Sequence, residues 1–188
     1  MTAAAGIVAA LLAAALVWAV FIYNRLVGDK NRVLAAWSDI DVQLKRRHDL
    51  IPKLVDAVKR YAAYESATLA EVTELRARSQ HSESIAEIGG VEAEIGGRLR
   101  RLVALAEAYP ELEADDAFLT LQKDLTDVEN TIQYARRYYN GAVRLLNTRI
   151  DSFPDMLVAG PSGFVKADYF ELDDASQRDT PTVHSTSK

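Results

Sequence analysis

The stretch "LKRRHDLIPKLVDAVKRY", residues 44–61, and the segment before it hold side chains suited to acid–base or ligand chemistry. His48 lies seven residues after Asp41, so a helix would place the two on one face. Asp39 and Asp41 are two residues apart and point to roughly opposite sides of a helix, which makes them poor joint ligands. Two groups on one face do not form a metal site. We therefore interpret His48 as a residue of the helix surface or of a kink.

The sequence lacks the motifs that usually accompany catalysis in such a chain. None of His48, His81 and His184 follows a glutamate by three residues, as the ligands of di-metal carboxylate bundles do. HExxH, the phosphate-binding P-loop and Gly-x-Ser-x-Gly are also absent. The chain has no cysteine, which excludes disulfides and thiolate metal ligands. We predict no catalytic residue, no metal site, no cofactor and no enzymatic activity.

Arg47 occupies an apolar position of the helical repeat, where a side chain should be buried. An unpaired buried charge would cost several kcal/mol, so we expect Arg47 to pair with an acid. The candidate partners are Glu65, Glu107 and Glu129. Glu129 also lies seven residues before Arg136 in "VENTIQYARRYYN". We favour an ionic and amide layer that sets the register of the helices; a binding groove is the alternative.

An apolar segment precedes these groups, at residues 3–23. It carries no charge and would form a helix of about 31 Å, which matches a hydrocarbon core of about 30 Å. Trp18, Phe21 and Tyr23 cluster at its end, where aromatic rings favour the headgroup region. A cleaved signal peptide is the other interpretation, but the segment lacks a basic start and exceeds the usual apolar length of about 7–15 residues. We predict an uncleaved anchor that contacts the lipid bilayer.

The charges around this anchor predict its orientation. No Lys or Arg precedes it, whereas Arg25, Lys30 and Arg32 follow it. The positive-inside rule then places the N-terminus outside and the rest of the chain in the cytoplasm. We divide the chain into an anchor (1–25), a helical bundle (26–172) and a disordered tail (173–188), the last from its polar composition.

Apolar residues recur at steps of three and four through the bundle region, which indicates long packed helices. The first helix is expected to run to about Leu75 with a kink near Pro52, because proline cannot donate the backbone hydrogen bond to His48. The second helix spans about 84–109, and the third ends with Phe153 facing inward before Pro154. The predicted fold is all-α: an up-down-up antiparallel bundle behind the membrane helix.

Two features fit this arrangement poorly. The second helix contains Gly89-Gly90 and Gly96-Gly97, which predicts a weak helix that is close-packed or frayed, or a hinge. It is also about half as long as the first, so it cannot cover the whole apolar stripe of the first helix. The stripe residues in question are Val33, Trp37, Ile40 and Leu44. Either the third helix covers them or a second copy of the chain does, and we predict self-association through this stripe.

Several segments together carry a family resemblance. They are "YNRLV" (23–27), "AAWSDIDVQLKRRHDLIPKLV" (35–55), "AEAYPELEADDAF" (106–118), "LQKDLTDVENTIQYARRYYNGAVRLLN" (121–147), and "FP" (153–154) followed by "GF" (163–164). Over roughly residues 20–170 the chain resembles the LemA family. The resemblance implies a single-pass bacterial membrane protein with a helical-bundle domain, and it implies no catalytic residues. The glycine-rich "IGGVEAEIGG" departs from the ordinary helical sequence expected there.

The net charge of −5 argues against nucleic-acid binding. Two functions remain. The favoured one is a scaffold or interaction module at the bacterial cytoplasmic membrane, which presents its bundle to an unidentified protein partner or to copies of itself. The alternative is a membrane-bound hydrolase or ligand-binding protein that uses Asp39, Asp41, His48, Glu129 and Arg136. A deep pocket that joins these five side chains would favour the alternative, and separate surface positions would favour the scaffold.

Overall fold

The structure is a computed structural model that describes residues 2–62 and 66–171. Its helices are α1 (Thr2–Tyr61), α2 (Ser66–His81), α3 (Ile85–Ala106), α4 (Pro110–Glu113), α5 (Asp116–Asp151) and α6 (Met156–Ala159). The described residues contain helices, turns and extended segments but no strand. The prediction of an all-α fold is therefore confirmed.

Helix α1 is continuous from the apolar N-terminal segment into the bundle. Its first part is long and apolar enough to cross a membrane. Large apolar side chains such as Leu11, Leu12 and Leu16 are exposed there, whereas Ile22 and Leu26 are buried by other parts of the chain. The change from exposed to buried apolar side chains occurs at the end of the apolar segment, so the bundle begins where a membrane would end.

The prediction that the first helix continues to Leu75 is wrong. Helix α1 ends at Tyr61, and α2 starts at Ser66 and folds back along α1. The direction of α2 follows from Arg76, whose Nε donates to the carbonyl oxygen of His48 at 2.8 Å. The apolar spacing is the same in both helices, and "YAAYES" contains no Gly or Pro to mark the break.

Within the described residues, the bundle consists of four long helices. Helix α5 is antiparallel to α1, because Arg149 pairs with Asp29 near the apolar segment and Tyr61 bonds to Asp115 (2.9 Å) at the other end. Helix α3 runs in the direction of α1, and its end lies beside Tyr61. The contacts therefore give an up-down-up-down order, and the predicted order of three helices is not confirmed. Asp115 caps α5 by accepting hydrogen bonds from two backbone N–H groups.

Pro52 lies inside α1, and the helix continues past it. Because proline has no N–H, the carbonyl of His48 loses its usual helical donor. The guanidinium of Arg76 supplies that hydrogen bond from α2. The proline therefore creates a backbone acceptor that helps to hold α2 against α1.

An extended segment, residues 164–171, covers the part of the α1–α5 pair that lies next to the apolar segment. We call it the strap. Its backbone is held by two asparagines of α5 that lie seven residues apart. Asn140 exchanges two 3.0 Å hydrogen bonds with the N–H and C=O of Phe170. Asn147 exchanges two 2.9 Å bonds with those of Ala167. Amide side chains thus pair with strap backbone groups that have no helical partners.

The apolar stripe of α1 is covered within the same chain. Val33, Ile40 and Leu44 are buried, and the Trp37 ring packs 5.7 Å from Tyr139 and 5.5 Å from Phe170 of the strap. Of the two coverings considered for this stripe, the one within the chain is found: α5, together with the strap, covers it, and no second copy is required. The stripe therefore gives no reason to expect self-association.

The glycines of α3 differ in their surroundings, although α3 is one continuous helix. A Cβ atom at Gly89 would lie 2.4 Å from the carbonyl oxygen of Glu171. A Cβ atom at Gly90 or Gly97 would meet nothing within 4 Å. Close packing is thus confirmed for Gly89, where the end of the strap lies against α3.

Candidate functional site

Arg47 lies in the interior of the bundle, with 2% of its surface exposed. Its Nη1 donates to Oε2 of Glu92 in α3 at 2.9 Å. Its Nη2 contacts the carboxylate of Glu129 in α5. The predictions that Arg47 is buried and paired with a glutamate are confirmed.

Glu92 is the centre of this ionic cluster and is 1% exposed. Besides Arg47, it accepts a 2.6 Å hydrogen bond from the Ser79 hydroxyl of α2. Its Oε1 also lies 2.6 Å from Nε2 of His48 in α1, and since the carboxylate accepts, this nitrogen is the donor. The cluster therefore joins all four long helices.

The cluster contains opposing electrostatic effects. Burial raises the pKa of the Glu92 carboxyl, but the hydrogen bonds from His48 and Ser79 and the charge of Arg47 together bring that pKa below its usual value. Burial also lowers the pKa of Arg47, and the neighbouring Glu92 counteracts part of this. The ionised carboxylate is thus stabilised by three donors, as a buried charge must be.

The order of these hydrogen bonds differs from that of a nucleophilic triad. In a triad, histidine lies between the nucleophile and the acid and takes the proton of the nucleophile. Here Glu92 lies between Ser79 and His48, and Ser79 donates to the carboxylate. Ser79 and His48 are each 5% exposed. This geometry suits a structural junction between helices.

The other candidate side chains lie apart from this cluster. Asp39 is exposed, and Asp41 pairs with Lys45 on the surface at 2.6 Å. Arg136 lines a separate groove between α5 and the strap. Of the five side chains proposed for a hydrolase, only His48 and Glu129 reach the cluster. Among the described residues, no group of three or more His, Asp or Glu side chains is placed to hold a metal ion.

Sequence reasoning missed Glu92 and Ser79. Glu107 is exposed, and Glu65 lies outside the described residues. Glu92 follows Ile88 by four residues and precedes Ile95 by three, so an acid stands where the helical repeat of α3 would place an apolar residue. That signal matches the one that singled out Arg47.

A cavity of about 320 Å³ lies beside the cluster, between α3 and α5. Arg47 and Glu129 form its inner wall, and Arg100, Glu107, Gln122 and Asn130 are among the residues that line the rest. The two ionic groups of the inner wall are therefore already engaged with each other.

Apolar side chains are exposed along the outer face of α5. Tyr134, Tyr138 and Leu145 have exposed fractions of 67%, 58% and 41%. Because successive residues are rotated by about 100° around the helix axis, these three side chains lie within an arc of about 40° and form one stripe. Arg137, whose guanidinium lies 4.7 Å from the centre of the Tyr134 ring, borders the stripe. A groove of about 440 Å³ lies next to it, lined by three arginines, the strap and Asn140.

The fold defines a class of protein: an all-α protein whose four-helix bundle continues directly from a helix able to cross a membrane. The sequence profile of the LemA family matches residues 36–184. The chain belongs to the LemA family.

Three relatives illustrate the range of this similarity. Magnetosome protein MamQ 2 of Paramagnetospirillum magneticum is 26% identical over 187 residues, and the match covers 86% of this chain and 68% of the relative. Magnetosome protein MamQ of Magnetospirillum gryphiswaldense is 25% identical with the same coverage. Protein LemA of Metamycoplasma hominis is 26% identical over 161 residues, which cover 85% of this chain and 73% of the relative.

Proposed function

We propose that this LemA-family protein is a single-pass membrane scaffold that presents the outer face of α5 to a protein partner in the cytoplasm. The apolar part of α1 would cross the bilayer, with its N-terminus outside. The observation that carries the proposal is the stripe of Tyr134, Tyr138 and Leu145, which stays exposed in a bundle whose other long apolar stripes are buried. Exposed aromatic side chains bordered by arginine are typical of protein–protein interfaces.

The charges of α5 indicate the chemistry of the partner. Residues 130–150 contain four arginines and no Asp or Glu. Arg137 and Arg144 lie on the same side of the stripe and line the adjacent groove. A segment with apolar side chains next to acidic ones would complement this face, because the arginines steer and orient acids while the tyrosines supply buried area. A helix of that pattern is the simplest such segment.

We favour the scaffold over the hydrolase because of how the polar groups are used. The side chains of the ionic cluster are satisfied by one another across four helices. Such a cluster sets the register of the bundle and would hold the α5 face in a defined shape. Three relatives are named magnetosome proteins, and we transfer from them only the expectation of work at a membrane.

The partner face is tested by site-specific photo-crosslinking in native membranes. A benzophenone side chain is introduced at Tyr138, and the matched control is Leu119, an exposed apolar residue of the same helix near its other end (46% exposed). We expect a discrete protein adduct at Tyr138 and none at Leu119. Charge reversal by Arg137→Glu with Arg144→Glu should reduce the Tyr138 adduct several-fold. Equal adducts at both positions, or an adduct insensitive to the charge reversal, would count against this face.

Orientation has a separate test. Arg25, Lys30 and Arg32 support a cytoplasmic bundle through the positive-inside rule. Protease added outside intact cells should leave the bundle uncut, and it should digest the bundle after the membrane is permeabilised. Digestion in intact cells would reverse the proposed orientation.

A further inference from the structure

The chain turns sharply after α5, and this turn exposes large apolar side chains. We call residues 153–165, the last two of which also begin the strap, the apolar turn. Phe153, Met156, Leu157 and Val165 have exposed fractions of 78%, 48%, 57% and 79%. The prediction that Phe153 faces inward is wrong, because α5 ends at Asp151 and the chain leaves the helical register there. Four such side chains in a short turn form an apolar patch of the kind that marks a binding surface.

The apolar turn lies beside the end of the membrane-spanning part of α1. The ring of Phe164 packs edge-on against that of Tyr23, with centroids 5.7 Å apart. Ile22 is only 3% exposed, and Ala159 of the turn is fully buried in the same apolar core. Tyr23 is the last residue of the apolar segment, so the turn stands at the level where the helix leaves the bilayer.

Charged side chains surround the turn on the side of the bundle. Arg149 pairs with Asp29 of α1 and with Asp155 at 3.3 Å. Lys166 pairs with Asp151 at 2.7 Å. Asp29 lies six residues beyond Tyr23, about 9 Å further along α1. Arg149 is thus shared by two carboxylates, and Asp155 belongs to the turn itself, so the charges next to the exposed apolar side chains are held in ion pairs.

We propose that the apolar turn inserts into the boundary between lipid headgroups and acyl chains, as a second membrane contact beside α1. This inference rests on the proposed membrane anchor. Interfacial regions accommodate aromatic and aliphatic side chains whose neighbours remain polar, as here. The occupant of the patch is the bilayer itself, because the patch is continuous with the segment of α1 that crosses it. A single span leaves rotation about its axis free, and a second contact at its base restricts that rotation.

Depth-dependent fluorescence quenching tests this in the full-length chain, which has no native cysteine. Single variants Leu157→Cys and Phe153→Cys are labelled with an environment-sensitive fluorophore and reconstituted into phosphatidylcholine/phosphatidylglycerol vesicles. Leu119→Cys, exposed and far from the membrane, is the matched control. Leu12→Cys reports whether α1 crosses the bilayer. Each label is exposed to nitroxide-bearing lipids and, separately, to aqueous iodide.

We expect the labels at Leu157 and Phe153 to be quenched by nitroxide lipids and to be several-fold less sensitive to iodide than the label at Leu119. Iodide sensitivity equal to that at Leu119 would overturn the proposal while the anchor stands, provided that Leu12 is quenched by nitroxide lipids. Shielding from iodide without nitroxide quenching would also overturn it, because a protein surface would then cover the patch. An unquenched label at Leu12 would refute the anchor itself.

Discussion

The two halves of the bundle are held together by different interactions. In the half far from the apolar segment, α1 is surrounded by three other long helices around the ionic cluster of Arg47, His48, Ser79, Glu92 and Glu129. In the half next to the apolar segment, α1 packs against α5 and the strap. The first half uses charged side chains bonded to one another. The second half also contains the ion pairs of Arg149 with Asp29 and Asp155, but its strap is held by neutral side chains bonded to backbone.

The difference follows from which backbone N–H and C=O groups each half leaves without a partner. Helices bond their own backbone groups, so only side chains remain to specify how four helices align. The strap is extended and cannot satisfy its own N–H and C=O groups, so Asn140, Asn147 and Tyr139 of α5 do it. Breaking a buried charged cluster costs several times more than losing a neutral hydrogen bond. The two halves should therefore differ in sensitivity to substitution.

The largest effect is expected at Glu92. The change Glu92→Leu removes the acceptor shared by Arg47, His48 and Ser79 and leaves these donors unsatisfied in the interior. We expect a loss of about 3–5 kcal/mol in the free energy of unfolding. Urea unfolding in mild detergent, followed by far-ultraviolet circular dichroism, measures it.

Two controls accompany this prediction. Combining Glu92→Leu with Arg47→Leu should recover part of the loss, because no buried guanidinium is left short of an acceptor. The pKa of Glu92 is lowered in the folded state, so its stabilising effect is complete above about pH 4.3 and falls as the pH drops through the folded-state value. Glu92→Gln should flatten this acid dependence. Strict additivity of the two leucine substitutions would refute the coupling.

An intermediate effect is expected where the strap meets α3. Gly89→Ala would place a Cβ atom 2.4 Å from the carbonyl oxygen of Glu171, so the strap must shift, at a cost of about 1–3 kcal/mol. Gly90→Ala, one residue away, meets open space and should stabilise the helix by about 0.5–1 kcal/mol. Trp37 contacts Phe170 of the strap and reports the shift. In a Trp18→Phe background, Trp37 emission should change for Gly89→Ala only; an equal response of both variants would contradict the close contact.

The smallest effect is expected at Tyr139, whose hydroxyl donates to the carbonyl oxygen of Asp168 at 2.8 Å. Tyr139→Phe loses this one neutral bond, about 0.5–1.5 kcal/mol. Burial and the nearby charge of Asp168 raise the pKa of Tyr139 to about 12. The stabilisation that depends on the neutral hydroxyl is complete below the unfolded-state pKa of about 10. It is lost as the pH rises through the folded-state pKa of about 12. The Tyr139→Phe variant should lack this alkaline loss, whereas Tyr138→Phe, on the exposed face, should keep it.

The helices were predictable because their apolar period is regular. Leu125, Val128, Ile132 and Leu146 of α5 follow this period, and all four are buried. The break between α1 and α2 was not predictable, because good helix formers span it and the period resumes unchanged. The strap was missed for another reason: it has no periodic pattern, and its partners, Asn140 and Asn147, lie on a distant helix.

The ionic cluster was half predictable. Arg47 is conspicuous because a charge interrupts an apolar repeat, and Glu129 was among its expected partners. Glu92 interrupts the repeat of α3 in the same way, but the glycines on either side of it predict a weak helix and so obscure this signal. The donation from Arg76 to the carbonyl that Pro52 leaves free depends on how α2 folds back, which no local pattern encodes.

The continuity of α1 has a mechanical consequence. From Tyr23 to Tyr61 the helix extends about 57 Å beyond the apolar segment without a linker. The α5 face near Tyr138, level with Trp37, would stand about 21 Å above the membrane boundary, so a partner must present its binding segment at that height. A stiff lever of this length also amplifies motion: tilting the span by about 20°, an average value for membrane helices, would sweep the far end of the bundle sideways by about 20 Å. Because a span longer than the hydrocarbon core can respond by tilting, bilayer thickness would contribute to the lateral distance that the far end covers.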